Sequence, residues 1–304
     1  RTTLSIIQLG DVYETNTSGY IDSRFYFGNW TFNTGIRFDY FDFQYVDALS
    51  STYSIQAVTA SIISPMLNVL YNYSNNLQLY VKAGKGFHSN DTRVIVAEDG
   101  PEILPAAYGT DVGFIWKPWR NVLINTAYWY LYSEQEFVYV GDAGIVEPSG
   151  EATRNGLDLS IRYQPWSWLL WNINANITDP RSSAEESGND FIPLAPKATL
   201  MSGIQINRNN GLYGGIHVRH MGDRPANEDN SIIAEGYTIY NLNIGYQTRK
   251  FDFGIQIDNL FDTDWNETQF ATESRLSNEI NSVEEIHFTP GTPFFLKCSM
   301  EYKF

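Results

Sequence analysis

The sequence predicts an all-β protein, a transmembrane antiparallel β-barrel, on three observations. Apolar residues recur at every second position along most of the 304-residue chain, which is the period of a strand with two different faces. Many of these alternating segments have ten or more residues, whereas strands of soluble proteins average about 5 to 6 and a tilted strand needs about 9 to 11 to cross a bilayer. The connections between the segments alternate between short and long, as in bacterial outer-membrane barrels.

The alternation is clearest in three segments. In residues 171–178 the odd-numbered positions are all apolar, and the even-numbered positions are all Asn or Thr. Residues 251–257 place Phe or Ile at every odd position, and residues 294–304 place an apolar side chain at every even position. A helix would spread both sets of side chains around its circumference, so each segment is predicted to be a strand with one apolar face.

Applied to the whole chain, the same test predicts about fourteen strands. They are residues 3–13, 18–28, 30–44, 58–73, 76–87, 107–118, 120–139, 152–165, 168–178, 194–208, 212–222, 234–248, 250–262 and 291–304. Tight turns of Gly, Asn, Pro and polar residues alternate with longer connections, and only the connection at 14–17 is short where a long one is expected. With the C-terminus in the periplasm, this parity places every long connection outside the cell.

The composition agrees with a barrel in a membrane. Aromatic residues make up 15% of the chain and charged residues only 18%, against about 25% in soluble domains. Trp30, Trp119 and Trp166 lie in or beside short turns, where they are expected to form part of a periplasmic aromatic girdle. The alternative is a large soluble β-sandwich or propeller, but such folds do not need long, unbroken two-faced strands.

Charge, cysteine and histidine usage exclude several function classes. The chain has 20 basic and 35 acidic residues and a net charge of −15, so a nucleic-acid partner is not expected. Cys298 is the only cysteine, and no Cys/His cluster predicts a metal site or a cofactor. His217 and His220 lie three apart on a predicted strand, so they point to opposite faces and do not form a chelating pair.

Enzyme motifs are also missing from the sequence. The GKG at residues 84–86 has neither the spacing nor the following Ser or Thr of a phosphate-binding loop. No GxSxG or HExxH occurs. The chain is therefore expected not to be an enzyme, although a barrel hydrolase whose Ser, His and acidic residues converge from neighbouring strands stays open as an alternative.

Four segments resemble the C-terminal barrel half of TonB-dependent outer-membrane receptors. They are YVKAGKGFHSNDTR at 80–93, DFIPLAPKAT at 190–199, the stretch 237–270 that contains NLFD, and HFTPGTPFFLKCSMEYKF at 287–304. The motifs occur in order with plausible spacing, and the resemblance covers nearly the whole chain. Phe294 stands where the family usually has Arg.

The resemblance implies a function and a set of partners. It implies energy-coupled import of a scarce nutrient, such as a siderophore-like metal chelate, a vitamin or a glycan, across the outer membrane of a Gram-negative bacterium. It also implies a 22-stranded barrel around an N-terminal plug, so residues 1–304 are expected to be a fragment of the barrel domain that holds its last fourteen strands. The implied partners are outer-membrane lipid, the plug, the TonB complex, the small ligand and the barrel assembly machinery, for which Phe304 resembles the terminal signal. The alternative outside this family is a self-contained 14-stranded channel or lipid conduit.

Two groups of residues are candidates for the functional site, although polar loop residues can also serve only to solvate or order their loops. Ligand contacts are expected in the outer connections and the upper lumen, at His88, Asn90, Asp91, Arg93, Arg224, Asn227, Trp265, Asn266, Gln269, Phe270 and Arg275. Contacts with the plug are expected on the lumen wall, at Arg37, Asp158, Arg162, His217, Arg219, Asn241 and Asn243.

Overall fold

A computed structural model describes residues 9–89, 92, 103–135, 137–140, 145–148, 150–278 and 280–304. This part of the chain contains nineteen strands. Thirteen of them form one antiparallel sheet in the order β1-β2-β3-β4-β5-β6-β9-β10-β11-β12-β15-β16-β19, so each strand pairs with its neighbours along the chain. The fold is therefore the predicted all-β sheet of long antiparallel hairpins.

The strands of the main sheet are long. They are β1 (Gly10–Phe27), β2 (Trp30–Asp47), β3 (Ile55–Ser74), β4 (Leu77–Phe87), β5 (Ala106–Trp116), β6 (Val122–Ser133), β9 (Ala152–Trp166), β10 (Leu169–Ser182), β11 (Ala198–Asn207), β12 (Leu212–Met221), β15 (Tyr237–Gln247), β16 (Phe251–Asp258) and β19 (Phe295–Tyr302).

The other six strands form three small hairpins inside the long connections. They are β7 (Phe137–Val140) with β8 (Ile145–Pro148), β13 (Arg224–Pro225) with β14 (Ile233–Ala234), and β17 (Asn266–Ser274) with β18 (Val283–Pro290). The sequence analysis did not predict these hairpins, because their strands are short or do not alternate cleanly.

The first two predicted strands are wrong as separate elements. The predicted connection at 14–17 lies inside one strand, Gly10–Phe27, that pairs with β2 without a break, and residues 3–8 of the first predicted strand lie outside the described residues. The polar run around Asn16 looks like a turn in the sequence, but the Asn16 side chain donates a hydrogen bond to Asp39 on β2 at 3.2 Å. The main sheet consequently has thirteen strands, and the alternation of short and long connections has no exception.

Several other predicted strands are too long at their outer ends. Strand 194–208 begins only at Ala198 and strand 250–262 ends at Asp258. In both places the backbone leaves the extended conformation, because Leu194 has a φ of 60° and Asn259 a φ of 50°, which lie in the left-handed region. Strand 120–139 ends at Ser133.

The short turns lie at one edge of the sheet and the long connections at the other. The turn edge is the set of residues 28–29, 75–76, 117–121, 167–168, 208–211 and 248–250 together with 303–304, and the loop edge is the set 48–54, 88–105, 134–151, 183–197, 222–236 and 259–294. Because the number of strands is odd, β1 and β19 run in the same direction, and they are not paired with each other.

The sheet has one apolar face and one polar face. Strand pairing places Ile173 beside Ile161 and Ile204 beside Ile216, and these side chains share the face of Trp171. Large apolar residues on this face are exposed, including Trp171 and Ile204, as expected of a surface that lipid covers. No helix in the described ranges is long and apolar enough to cross a membrane.

Glycines on the polar face make room for aromatic rings from neighbouring strands. A Cβ atom on Gly245 would lie 2.2 Å from Cζ of Tyr213, and one on Gly113 would lie 2.6 Å from the hydroxyl of Tyr80. Each ring therefore lies against bare backbone of the next strand. The ring hydroxyls are also fixed, because Tyr80 donates to Asn125 at 3.0 Å.

Candidate functional site

The predicted lumen-wall residues lie on one face of the sheet. Arg162 pairs with Asn172 and Asp158 with Asn176, so both share the polar face of β10. His217 pairs with Gly203 on one side and Asn241 on the other. His220, in contrast, shares the opposite face with Thr238, where the imidazole Nδ1 and the hydroxyl are 2.8 Å apart. The prediction that the two histidines point to opposite faces is confirmed.

At the β1 edge of the sheet, Arg37 is held by a buried carboxylate. Its Nε and Nη2 donate to the two oxygens of Asp39 at 2.7 and 2.8 Å, a bidentate pair of the strong, charge-assisted kind. The Asp39 side chain is only 1% exposed, whereas that of Arg37 is 47% exposed. The carboxylate therefore fixes the guanidinium while leaving part of it open on the polar face.

Asp158 on β9 is the centre of a second group on the polar face. One carboxylate oxygen accepts a hydrogen bond from Nε1 of Trp129 at 3.0 Å and another from the Asn176 side chain. The ring of Trp129 also lies against Gly156, where a Cβ atom would be 2.7 Å from Cζ2. Asp158 thus holds the wall of the sheet together across β6, β9 and β10.

A cationic and aromatic cluster lies on the polar face toward the loop edge. Cζ of Arg219 is 5.2 Å from the ring centre of Tyr237 and 5.1 Å from that of Trp265. The two rings are 4.8 Å apart. Trp265 comes from the longest connection, which therefore folds back onto the sheet, and Nε1 of Trp265 donates to the carbonyl of Thr292 at 3.0 Å.

Arg224, at the start of the next connection, interacts electrostatically with Tyr237 of this cluster. Nε and Nη2 of Arg224, and Nε of Arg219, are buried without a hydrogen-bond acceptor among the described residues. Burial also holds the pKa of the Arg224 guanidinium below its usual value. Arg219, Arg224, Tyr237 and Trp265 are named the mouth cluster, and its guanidinium nitrogens can donate further hydrogen bonds to anionic oxygens.

The turn after β16 holds Trp265 in place. Asn259 is 2% exposed and its Nδ2 donates to the carbonyls of Thr263 at 2.8 Å and Thr292 at 3.1 Å. Its Oδ1 accepts the Thr263 N–H at 2.9 Å, and its own N–H donates to Asn241 on β15 at 2.9 Å. The carbonyl oxygen of Thr292 also accepts the hydrogen bond from the Trp265 indole, so Asn259 links the wall of the sheet to the mouth cluster.

Two predicted ligand residues instead order their own connections. Asn227 is 8% exposed and Gln269 is 3% exposed. Nδ2 of Asn227 donates to Ser231 at 2.8 Å and its Oδ1 accepts the N–H of Ile232 at 3.1 Å. The Gln269 amide donates to the carbonyl of Glu235 at 2.8 Å and accepts its N–H at 3.1 Å. Each amide therefore both donates and accepts a hydrogen bond inside the protein.

The other predicted ligand residues are spread along the loop edge. Asn266 and Phe270 lie on β17, and Arg275 follows that strand as an exposed residue. His88 is exposed just after β4. The remaining candidates, Asn90, Asp91 and Arg93, lie outside the described residues. The structure thus brings Trp265 together with Arg219, and Arg224 interacts electrostatically with Tyr237 of the same group.

Asn243 and His217 lie further toward the turn edge, on a groove of about 1010 Å³. Beside them, the Tyr213 hydroxyl donates to Asp252 at 2.6 Å, and the Gln247 amide donates to the other oxygen of Asp252 at 2.9 Å. The Asp252 carboxylate is therefore already bonded on both oxygens.

Charge is divided sharply between the two edges. The sequence of the loop edge contains 23 acidic and four basic residues, whereas that of the turn edge contains six basic residues and no acidic one. The basic residues of the loop edge are Arg93, Lys197, Arg224 and Arg275. Arg224 of the mouth cluster is therefore one of few positive charges in a strongly acidic region.

Sequence reasoning missed Tyr237, Asn259 and Tyr213. Asn259 was available only as part of the NLFD motif, without a role. A signal for Tyr213 was present, because Gly245 interrupts an otherwise bulky strand and predicts a close approach by a neighbour. Within the described ranges, no group of three His, Cys, Asp or Glu residues could hold a metal ion.

Comparison with known proteins identifies the class. Residues 4–260 match the family described as TonB dependent receptor-like, beta-barrel. The pesticin receptor of Yersinia enterocolitica is 18% identical over 240 residues, which cover 75% of this chain and 36% of that receptor. The chain belongs to the TonB-dependent receptor β-barrel family, whose members are outer-membrane receptors of Gram-negative bacteria and not enzymes.

Solved structures agree with this fold. The ferric yersiniabactin uptake receptor FyuA from Yersinia pestis superposes with a TM-score of 0.71 at 15% identity, covering 97% of this chain and 46% of that receptor. The ferric-catecholate import receptor Fiu from K12 E. coli, in its closed form, gives a TM-score of 0.74 at 16% identity, covering 97% of this chain and 45% of Fiu. The chain thus spans less than half the length of these relatives.

Proposed function

We propose that this chain is the C-terminal part of the barrel of a receptor that imports a ferric chelate by TonB-dependent transport. The named relatives take up ferric yersiniabactin and ferric catecholates, which supports an iron chelate over a vitamin or a glycan. Such chelates present anionic oxygens around the metal, and often aromatic rings. The proposal concerns the complete receptor, of which residues 1–304 supply one wall.

The mouth cluster is the structural feature that best supports a ferric chelate as the ligand. Arg219 and Arg224 have buried nitrogens without an acceptor, which is costly unless another partner bonds them. A chelate oxygen would satisfy a guanidinium through a charge-assisted bond, and an aromatic chelate would stack against Trp265 or Tyr237. A ligand that reaches this cluster would also contact the connection that carries Trp265.

The arrangement of strands supports a larger barrel. Because β1 and β19 run in the same direction, they could not pair antiparallel and close a thirteen-stranded barrel by themselves. This parity disfavours the self-contained channel. In the proposed receptor, additional strands join these edges, a plug fills the lumen against Arg37, Asp158 and Arg162, and the plug-linked segment contacts TonB.

The proposed orientation places the turn edge and the C-terminus in the periplasm. Short turns at one edge and long connections at the other support it. Phe304 lies 5.2 Å from the ring of Tyr302, edge to face, at the end of a strand whose apolar side chains face lipid. We propose that this terminal aromatic pair is read by the barrel assembly machinery.

The experiment measures uptake of ⁵⁵Fe by cells that express the full-length receptor. The host lacks its own siderophore receptors, and the chelates supplied are a catecholate, a phenolate, a hydroxamate and citrate, with vitamin B12 as the iron-free control. The expected result is accumulation of at least one ferric chelate that disappears in an otherwise identical tonB-deficient host. Accumulation that is equal in both hosts would identify a passive channel and overturn the proposal.

A further inference from the structure

The apolar face carries a groove next to one of the short turns. The groove measures about 570 Å³ and is lined by Trp119, Asn121, Val122, Ile161, Tyr163, Trp171 and Ile173. Strand pairing places Val122 beside Tyr163 and Tyr163 beside Trp171, so the floor of the groove is the outward face of β6, β9 and β10. Its volume and apolar lining are those of a ligand site, but it opens on the surface that faces lipid.

The turn at 117–121 places a ring and two cations at one end of this groove. Trp119 is 68% exposed and lies between Lys117 and Arg120 in the sequence. Both cations are exposed, and neither side chain forms a hydrogen bond or an ion pair within the part of the chain that the structure describes. A Trp ring with adjacent Lys and Arg is the arrangement expected where hydrocarbon meets polar headgroups.

The next turns repeat the combination of ring and cation. Trp166 and Trp168 stack with ring centres 5.2 Å apart, and the guanidinium of Arg208 lies 5.0 Å from the ring centre of Trp168. The cations of the turn edge thus accompany aromatic rings. The turn edge itself contains six basic residues and no acidic one, and Asp252 on the adjacent strand faces Lys303 and not Lys117 or Arg120, so the charge of the 117–121 turn complements an anionic surface.

We propose that the groove and the 117–121 turn bind an anionic glycerophospholipid of the periplasmic leaflet. One acyl chain lies in the groove, the Trp119 ring lies at the level of the glycerol, and Lys117 and Arg120 contact the phosphate. The inference rests on the periplasmic orientation of the turns proposed above. An acidic protein partner would use the same cations, but it would leave the apolar groove behind Trp119 empty, so the lipid is favoured.

The test measures lipid retention by the purified full-length receptor in detergent. Phosphatidylglycerol or phosphatidylcholine with identical acyl chains is added, and retained lipids are counted by native mass spectrometry. We expect preferential retention of phosphatidylglycerol by the wild type and about a tenfold or greater loss of that preference in K117Q/R120Q. The matched control is R249Q/K250Q, which removes two cations from a turn without this groove and is expected to retain the preference. W119A is expected to weaken retention of both lipids.

Three outcomes would overturn the proposal. Equal retention of the two lipids by the wild type would show that charge does not select the lipid. Equal losses in K117Q/R120Q and R249Q/K250Q would show a diffuse effect of the turn edge and not a site. Unchanged retention in K117Q/R120Q together with lost ⁵⁵Fe uptake would identify a protein partner instead. Because retention is measured in detergent, it does not depend on import, and a failure of the transport proposal would leave it unaffected.

Discussion

At each end of β12 an aromatic ring packs against a glycine, but the surrounding hydrogen bonds differ. At the turn edge, the ring of Tyr213 lies against Gly245, and its hydroxyl donates to Asp252, which also accepts from Gln247. Toward the loop edge, the ring of Trp265 lies against Gly291, where a Cβ atom would be 2.0 Å from Cε2, and stacks with Arg219.

The difference lies in the hydrogen bonds that remain to be made. At the Tyr213 end, the carboxylate and hydroxyl bond to each other. At the Arg219 end, buried guanidinium nitrogens of Arg219 and Arg224 have no acceptor among the described residues. Polar groups whose hydrogen bonds are all made within the protein stabilise the sheet. Buried polar groups without a partner call for an explanation, and a bound ligand is one. We therefore call the Tyr213 end of β12 the structural end, and the Arg219 end, where we propose that the ligand binds, the binding end.

The largest expected effect comes from breaking the support of the binding end. Asn259→Ala removes three hydrogen bonds of a buried side chain and forces Ala into a positive φ. We expect a loss of about 3 to 5 kcal/mol in the free energy of unfolding, measured by urea unfolding of the full-length receptor in lipid vesicles.

Asn230→Ala is the matched control for that substitution. Asn230 has a φ of 57°, and its side chain forms no hydrogen bond to another described segment, so it isolates the backbone cost of about 1 to 2 kcal/mol. Equal losses in the two variants would show that the side-chain bonds of Asn259 contribute nothing. That result would also remove the argument that Asn259 positions Trp265.

Replacing the cations of the mouth cluster tests the binding end directly. Arg219→Gln with Arg224→Gln keeps polar side chains but removes both charges, and charge-assisted bonds are worth about 1.5 to 3 kcal/mol each. We expect the dissociation constant for the transported ferric chelate to rise by at least about tenfold, measured by titration of intrinsic Trp fluorescence. Arg249→Gln with Lys250→Gln removes two exposed cations from the turn edge and is expected to bind normally. Normal binding by the double variant would show that the unsatisfied nitrogens serve the plug or nothing at all.

Crowding the glycine tests the structural end. Gly245→Ala would place a Cβ atom 2.2 Å from the Tyr213 ring, and overpacking of this kind costs about 1 to 3 kcal/mol. Gly86→Ala is the control, because no atom lies within 4 Å of its added Cβ and a strand residue is slightly stabilised by losing the freedom of Gly. Unfolding in urea should therefore separate the two variants, while chelate affinity stays unchanged in both. An effect of Gly245→Ala on affinity would contradict the division of β12 into two ends.

The smallest expected effect concerns acid and the connection after β10. The N–H of Gly188 and the guanidinium of Arg181 hold the pKa of Asp190 below its usual value. The stabilisation is therefore present above the unfolded pKa of about 3.9 and is lost as the pH falls through the lower folded pKa. Hydrogen exchange of residues 183–197, corrected for intrinsic rates, should rise at low pH. In Asp190→Asn the exchange should no longer depend on pH, and a persistent dependence would exclude Asp190 as its cause.

The fold could be predicted from the sequence because the alternation of apolar and polar residues that identifies each strand is local and periodic. Alternation over long segments such as 171–178 is enough to identify two-faced strands. The same alternation places Arg162, His217 and Asn241 on the polar faces of their own strands. The split of β1 at residues 14–17 shows the limit, since polar residues at Asn16 are stabilised by Asp39 on the neighbouring strand, and no local pattern reports that contact.

The candidate site was predictable only in part, for a similar reason. Trp265 was expected to contact a ligand and Arg219 to contact the plug, yet both lie against Tyr237, and Arg224, also expected to contact a ligand, interacts with that ring electrostatically. Trp265 lies in a connection without periodicity, and its position depends on the bonds of Asn259. Asn227 and Gln269 have the residue types of ligand contacts, but their amides are used by nearby backbone, which composition cannot show.

The division of charge between the two edges has a kinetic consequence. The described residues of the loop edge include 16 acidic and three basic ones, which create a field that repels anions and gathers cations. An anionic chelate would meet a barrier before it reaches Arg219 and Arg224. Salt shortens the reach of that barrier to about 8 Å at physiological ionic strength. Association of such a ligand would therefore become faster as ionic strength rises, the reverse of ordinary electrostatic steering.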